Sequence, residues 1–116
     1  MKLSVVILNY NVKHFLDLCI QSVQRATENL DAEIIVVDNA STDGSVEMLR
    51  QIYPDIVCVS NSENYGFSKG NNIGVTYAKG EYLCVLNPDT LVTESLFQKC
   101  IKFHEDTPNC GIIGPK

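Results

Sequence analysis

The sequence predicts an α/β domain: a mostly parallel sheet sandwiched by helices, in the order βαβαβαβα(β). Three observations carry this. Short, continuous, β-branched runs recur as "LSVVIL", "EIIVVD", "IVCVS" and "YLCVL", the pattern of strands buried on both faces. Between them lie segments whose apolar residues repeat at helical spacing. Each strand-like run ends in polar residues rich in Asn and Asp. Strict alternation of this kind implies parallel strands joined by right-handed crossovers that cover both faces of the sheet.

The elements follow in order. Leu3–Leu8 is the first strand, and the helix after it is expected to bury Phe15, Leu18, Cys19, Val23 and Ala26 on one face. Glu33–Asp38 is the second strand. Ser41, Thr42 and Asp43 are candidate N-caps for a short helix with Val46, Leu49, Ile52 and Tyr53 on one stripe, closed by Pro54. Ile56–Ser60 is the third strand. The third helix carries Gly70, Gly74, Tyr77 and Ala78 on one face. Each glycine there costs about 1 kcal/mol against alanine, so a strand or a ligand must approach that face closely. Gly80 reads as a C-cap residue. Tyr82–Leu86 is the fourth strand, and Thr93 or Thr90 caps a last helix with Leu96, Phe97, Cys100, Ile101 and His104 on one face. The closing "CGIIGPK" reads as the start of a fifth strand cut short.

Bulk composition narrows the function classes. The 116 residues suffice for one small domain, and 45% hydrophobic with 20% charged residues is an ordinary soluble composition. A formal charge of −5 argues against a nucleic-acid partner, because phosphate backbones are bound mainly through Lys and Arg. Cys19, Cys58, Cys84, Cys100 and Cys110 are odd in number and form no C-x-x-C pair. They read as reduced, mostly buried thiols of a cytosolic protein, with no zinc site. The N-terminal apolar run is too short for a secretory segment or a membrane span.

In open α/β sheets ligands bind beyond the carboxyl ends of the strands. Here those ends carry "NYN" (Asn9–Asn11), "DNASTD" (Asp38–Asp43), "SNSENYG" (Ser60–Gly66) and "NPDT" (Asn87–Thr90). A P-loop, a G-x-G-x-x-G fingerprint and a G-x-S-x-G elbow are all missing. His14 and His104 lack the setting of a catalytic pair and read as helix-surface residues. Asp38 is either a turn acid or a carboxylate that bonds the base or ribose of a nucleotide. Asp43 reads as an N-cap. Lys69 is either solvated or a diphosphate contact. Asp89 is either part of an Asn-Pro-Asp turn or a ligand to Mg²⁺ or Mn²⁺, hard cations that share oxygen ligands with substrate phosphates.

The stretches "SVVILNYN", "IIVVDNASTDGS", "NYGFSKGNNIG" and "YLCVLNPDT", in this order, closely resemble the N-terminal, donor-binding half of family 2 glycosyltransferases, whose GT-A fold is Rossmann-like. The "LNPDT" form is similar to the rhamnosyltransferase-like branch. The resemblance implies an inverting transferase that moves a sugar from a dTDP- or UDP-linked donor to a saccharide or polyprenyl-linked acceptor. It implies a nucleotide site of Leu8, Asn9, Tyr10, Asn11, Asp38, Asn39, Lys69, Asn72 and Asn87, with Asp38 on the base. Asp89 is implied as the ligand of a divalent cation, Mg²⁺ or Mn²⁺. It further implies a cytoplasmic enzyme of polysaccharide synthesis, peripheral to the inner face of the membrane at full length.

Two departures qualify this. The first carboxylate of the family's D-x-D motif is Asn87 here, which leaves Asp89 as the single anionic ligand. The family's catalytic base and acceptor-binding part fall beyond residue 116, so the chain is expected to be incomplete at its C-terminus and to lack a catalytic residue of its own. An unfinished sheet is also expected to expose an edge, which a homo-oligomer would cover. A non-catalytic nucleotide-binding α/β module is the competing reading. A haloacid-type phosphatase is disfavoured because Asn87 replaces the nucleophilic acid, and a receiver domain because "NYN" stands where its acids would cluster.

Overall fold

The structure, a computed structural model, describes residues 1–106 and 113–115. Along them run β1 (Leu3–Asn9), α1 (Lys13–Ala26), β2 (Ala32–Asp38), α2 (Ser45–Ile52), β3 (Val57–Ser60), α3 (Phe67–Tyr77), β4 (Tyr82–Leu86), α4 (Leu96–Asp106) and β5 (Ile113–Pro115). The strand order is β3-β2-β1-β4-β5. The first four strands are parallel, and β5 joins β4 antiparallel. The expected fifth strand therefore covers the outer side of β4 and reverses direction there. Cys110, placed at its start in the sequence reading, lies outside the described residues.

Strand alternation divides the core in two. Leu3, Val5 and Ile7 of β1 face a cluster with Leu16, Ile20 and Val23 of α1, Leu49 of α2, and Phe97 and Ile101 of α4. The intervening Val6 joins Ile35, Val37 and Ala78 on the other face, with Ile73 of α3 packed against them. Helices thus cover both faces, as the alternation requires.

Three helix faces, those of α1, α2 and α3, differ from expectation. In α1 the buried stripe is Leu16, Cys19, Ile20, Val23 and Ala26, while Phe15 and Leu18 are exposed. These buried residues stand at i, i+3, i+4, i+7 and i+10 along α1, which leaves Phe15 and Leu18 off the buried face. In α2, Leu49 and Tyr53 are buried as expected, but Met48 replaces Ile52, which is exposed. Tyr53 also donates a hydrogen bond to Asp17 of α1. Burial, then that contact and the charge of Asp17, push the phenol up to about 12.

The α3 glycines are explained by the sheet. A Cβ on Gly70 would lie 2.6 Å from Leu8 Cδ1, and one on Gly74 2.6 Å from Val6 Cγ1 and 2.9 Å from Val37 Cγ2. Tyr77, expected on that face, is exposed, and Asn71 is buried there instead. Gly80 is not a C-cap: α3 ends at Tyr77, and Ala78 follows in extended backbone. A Cβ on Gly80 would meet the β1 backbone, at 2.6 Å from both Leu3 C and Ser4 N. Its N–H donates to Ser4 Oγ (2.8 Å), and that hydroxyl donates to Glu33 Oε2 (2.6 Å). The turn into β4 is thereby pinned across β1 and β2.

Candidate functional site

The strand order reverses between β1 and β4: from β1 the chain winds outward through β2 and β3, then returns over α3 to β4. Clefts in open α/β sheets form at such a switch point, beyond the carboxyl ends of the strands. A cleft of about 560 Å³ lies there. Leu8 and Tyr10 line it from β1, Asn39 from β2, and Asn87, Pro88 and Asp89 from β4. Asn64, Gly66 and Phe67 close the α3 side, and Val12 and Phe15 the α1 side.

Beneath the cleft a buried polar network sets the strand ends. Asn9 and Asp38 are register partners, and both are fully buried. Asn9 Nδ2 donates to Asp38 Oδ1 (2.9 Å). Ser41 donates its hydroxyl to Asp38 Oδ1 (2.7 Å) and its N–H to Asp38 Oδ2 (2.9 Å). The side chain is fully buried in this conformation, so direct contact with a base would need the strand ends to move. In this conformation the carboxylate instead fixes Asn9 and the 39–43 loop. That loop holds Ala40 at φ 60°, a left-handed conformation uncommon for a residue with a Cβ.

Asn39 is also buried. Its Nδ2 donates to the Gly66 carbonyl (3.2 Å) and its Oδ1 accepts from Asn61 Nδ2 (2.8 Å), which docks the start of α3 against β2. Asn64 Oδ1 accepts the Gly66 N–H at 2.9 Å, and Gly66 takes φ 82°. Asn11 lies outside the main cleft. Its N–H donates to Ser41 Oγ (2.9 Å) and its Oδ1 accepts from Thr42 N (2.7 Å), beside a smaller recess that includes Lys13, His14 and Asp43.

Lys69 and Asn72 are not brought into the cleft. Both are exposed, because at 3.6 residues per turn they lie away from the sheet-facing Gly70 and Gly74. Lys69 Nζ sits 4.4 Å from the Tyr65 ring centroid, within cation–π range. Sequence reasoning missed Phe15 and Phe67, both exposed on the cleft wall. Helical periodicity alone puts Phe15 on the buried face, whereas the observed stripe is headed by its neighbour Leu16. For Phe67 the usable signal was the Asn64-x-Gly66 turn that places it first in α3.

Asp43 caps two helices. Its Oδ2 accepts the Lys13 N–H at the start of α1 (3.0 Å), and its Oδ1 accepts the Ser45 N–H and hydroxyl at the start of α2 (3.1 and 2.5 Å). Ser41 and Thr42 have no such role, and Gly44, at φ 87°, occupies the N-cap position of α2. Partial burial pushes the Asp43 carboxyl up, but the hydrogen bonds from Ser45 and Lys13 outweigh it and hold the group below its ordinary value. A depressed carboxyl contributes stability above its unfolded pKa of about 3.9 and loses it as pH falls through the lower folded value. Asp43→Asn is therefore expected to lower the thermal midpoint modestly at pH 7 and to converge with wild type below about pH 4, which flattens the acid limb of the profile. An identical acid limb in the variant would refute the capping role. The site is exposed, so the effect is modest.

Among the described residues no three His, Cys, Asp or Glu side chains cluster as a metal site. Among the described residues Asp89 is the only carboxylate lining the cleft, with Asn87 two residues away. Such a set fits a hard cation that takes most of its oxygens from phosphate and water, a common arrangement for Mg²⁺. It does not fit a cation caged by protein ligands alone. Cys19, Cys58, Cys84 and Cys100 carry thiols rather than disulfides. Burial, with smaller help from neighbouring thiols, pushes Cys84 up to about 12, which leaves it unreactive at neutral pH.

Comparison with known proteins gives a consistent result. The chain is 33% identical over 112 residues to the minor teichoic acid biosynthesis protein GgaB of Bacillus subtilis, covering 91% of this chain and 12% of that protein. It is 31% identical over 119 residues to a poly(ribitol-phosphate) β-glucosyltransferase of Bacillus spizizenii, covering 98% of this chain and 19% of the relative. It therefore spans well under half the length of these relatives. Among solved structures it superposes on S. aureus TarS 1–349 in complex with UDP-GlcNAc with a TM-score of 0.81 and 21% identity, over 91% of this chain and 32% of that one. A mannosyltransferase, PcManGT from Pyrobaculum calidifontis, in complex with GDP-Man and Mn²⁺, gives 0.82 and 24%, over 91% of this chain and 33% of that one. The sequence profile of glycosyl transferase family 2 matches residues 4–115, and on that match, with the switch-point cleft already in place, the chain belongs to glycosyl transferase family 2.

Proposed function

We propose that this chain supplies the donor site of a glycosyltransferase that uses a nucleotide-linked sugar. The observation that carries this is the gathering of Tyr10, Asn39, Asn87 and Asp89, from three strand ends, around one cleft. About 560 Å³ is in the usual range for a small-molecule site of roughly 300–1,000 Å³. Tyr10 offers a ring for stacking on a base, and Asn39 a rigid amide on the cleft wall. Asp38 supports both from below through Asn9 and the Ser41 loop. Asn87 and Asp89 stand where the sugar diphosphate would lie, with Asp89 as the carboxylate that would hold a divalent cation. Such a cation, when bound, would act as a Lewis acid on the leaving diphosphate. Lys69 would reach the diphosphate only by leaving Tyr65, and Asn72 is a surface residue in this reading.

Direct inversion by an attacking acceptor hydroxyl is the mechanism that family membership favours, with a carboxylate as general base. Among the described residues the cleft presents no acid besides Asp89, so this chain alone is read as binding the donor without turnover. The teichoic-acid and poly(ribitol-phosphate) relatives favour a polyol-phosphate acceptor; a saccharide or polyprenyl-linked acceptor, with peripheral membrane association at full length, is the alternative that the family resemblance implies. Among the described residues, no helix is long and apolar enough to cross a membrane.

Calorimetric titration with UDP, dTDP and GDP, each with and without Mn²⁺, tests the reading. The expected result is selective binding of one nucleoside diphosphate, strengthened by Mn²⁺. Binding of none of them would overturn the donor-site assignment.

A further inference from the structure

The loop that carries Asp89 is tied to α1 at two points. Cys19 Sγ donates to the Asn87 carbonyl at 3.9 Å. Ser22 Oγ accepts the Val92 N–H at 3.2 Å. Between these anchors the Thr90 N–H donates to the Asn87 carbonyl at 3.1 Å and closes a turn with Asp89 inside it. Cys19 and Ser22 stand at i and i+3, so they share one helix face. Both are buried, whereas the side chains of Asn87, Asp89 and Leu91 are exposed.

The helix stripe around them is otherwise apolar, with Leu16, Ile20, Val23 and Ala26 buried. A buried hydroxyl in such a stripe is costly unless bonded. Ser22 meets that condition twice. Its hydroxyl donates to the Cys19 carbonyl at 2.8 Å, as helical serines often do, and its oxygen receives the loop. Both anchors grip backbone atoms of the loop, so they set the path of the chain whatever the loop side chains do. The closeness of Asp89 is also felt at Cys19: burial first, and the charge of Asp89 second, push its thiol up to about 11.

We propose that Cys19 and Ser22 are positioning residues that hold the Asp89 carboxylate in place for a divalent cation and its diphosphate. This rests on the reading of Asp89 as the metal ligand. Groups that orient a metal ligand commonly tune affinity as strongly as the geometry they fix. Loss of either anchor leaves Asp89 present but free to wander with its turn.

The test compares the wild-type chain with Cys19→Ala, Ser22→Ala, Ser22→Thr and Asp89→Ala. Three measurements are made: Mn²⁺ affinity in the presence of UDP, from the free-Mn²⁺ electron paramagnetic resonance signal; UDP affinity without metal; and hydrogen exchange at the Val92 amide in metal-free protein. Cys19→Ala and Ser22→Ala are expected to weaken Mn²⁺ binding by roughly threefold to tenfold and to leave metal-free UDP affinity unchanged. Val92 exchange should accelerate in Ser22→Ala and return in Ser22→Thr, which keeps the hydroxyl. Faster Val92 exchange with unaltered Mn²⁺ affinity would overturn the positioning role, and so would equal losses of UDP binding with and without metal. If wild-type and Asp89→Ala bind Mn²⁺ equally, the metal reading itself fails and the positioning role falls with it, while Val92 exchange still reports whether the anchor exists.

Discussion

Asp89→Ala is expected to remove the Mn²⁺-dependent part of nucleoside-diphosphate binding, a loss of roughly a hundredfold measured by calorimetry at saturating metal. The magnitude follows from the donor set. Among the described residues no other acid or histidine lines the cleft, and no cluster of three ligands is found to substitute. Even partners that only orient a metal ligand change affinity by about 10–100-fold, so removal of the one anionic ligand should reach at least the top of that range. The fold should be untouched, because Asp89 is exposed and surface substitutions usually stay within about 0.5 kcal/mol. Metal-free binding should also be unchanged. A variant that keeps its Mn²⁺ response would show that the cation is held elsewhere. Asn87→Asp, which restores a leading carboxylate, should move affinity in the opposite direction.

Gly80→Ala is expected to be strongly destabilising, with a loss of about 3 kcal/mol. For a domain near this size that lowers the thermal midpoint by roughly 10–20 °C. The added carbon would lie 2.6 Å from two backbone atoms of β1, Leu3 C and Ser4 N. Those atoms belong to a strand paired on both sides, with β2 and β4, so neither can retreat. The alanine would also disturb the Gly80 N–H bond to Ser4 Oγ. Gly70→Ala is the informative contrast. Its nearest neighbour is the end of the Leu8 side chain, which can rotate, so the expected loss is smaller. Equal midpoints for wild-type and Gly80→Ala would show that the turn into β4 moves more freely than its packing implies.

The ladder of elements was legible because short β-branched apolar runs alternating with helical periodicity mark the strands of a covered sheet, although the third, Val57–Ser60, lies at the sheet edge and is only half-buried. The position of the cleft was legible for a related reason, since parallel strands place all their carboxyl ends on one side and the Asn- and Asp-rich segments mark those ends. Rotation about helix axes was less legible. In α1, Phe15 and Leu16 are adjacent apolar residues, and either could head the buried stripe; the docking of Lys13 on Asp43 settles it. In α3, Lys69 and Asn72 belong to the same short segment as the sheet-facing glycines, yet the helix turns them outward. The role of Asp38 could not be read either, because it depends on the hydrogen bond from Asn9, a residue far from it in the chain.

By itself the sequence determined the α/β class, the strand order along the chain, the motif order that marks glycosyl transferase family 2, and the substitution of Asn87 for a carboxylate. These depend on residue type and local spacing, which hydrophobic periodicity and short motifs carry directly. Only the tertiary structure decided that β5 runs antiparallel, that Gly70, Gly74 and Gly80 answer to the sheet, that Asp38 is spent on the strand ends, and that α1 grips the Asp89 loop. Each of these is a contact between segments separated by tens of residues, and whether two such segments meet depends on packing that no local pattern encodes.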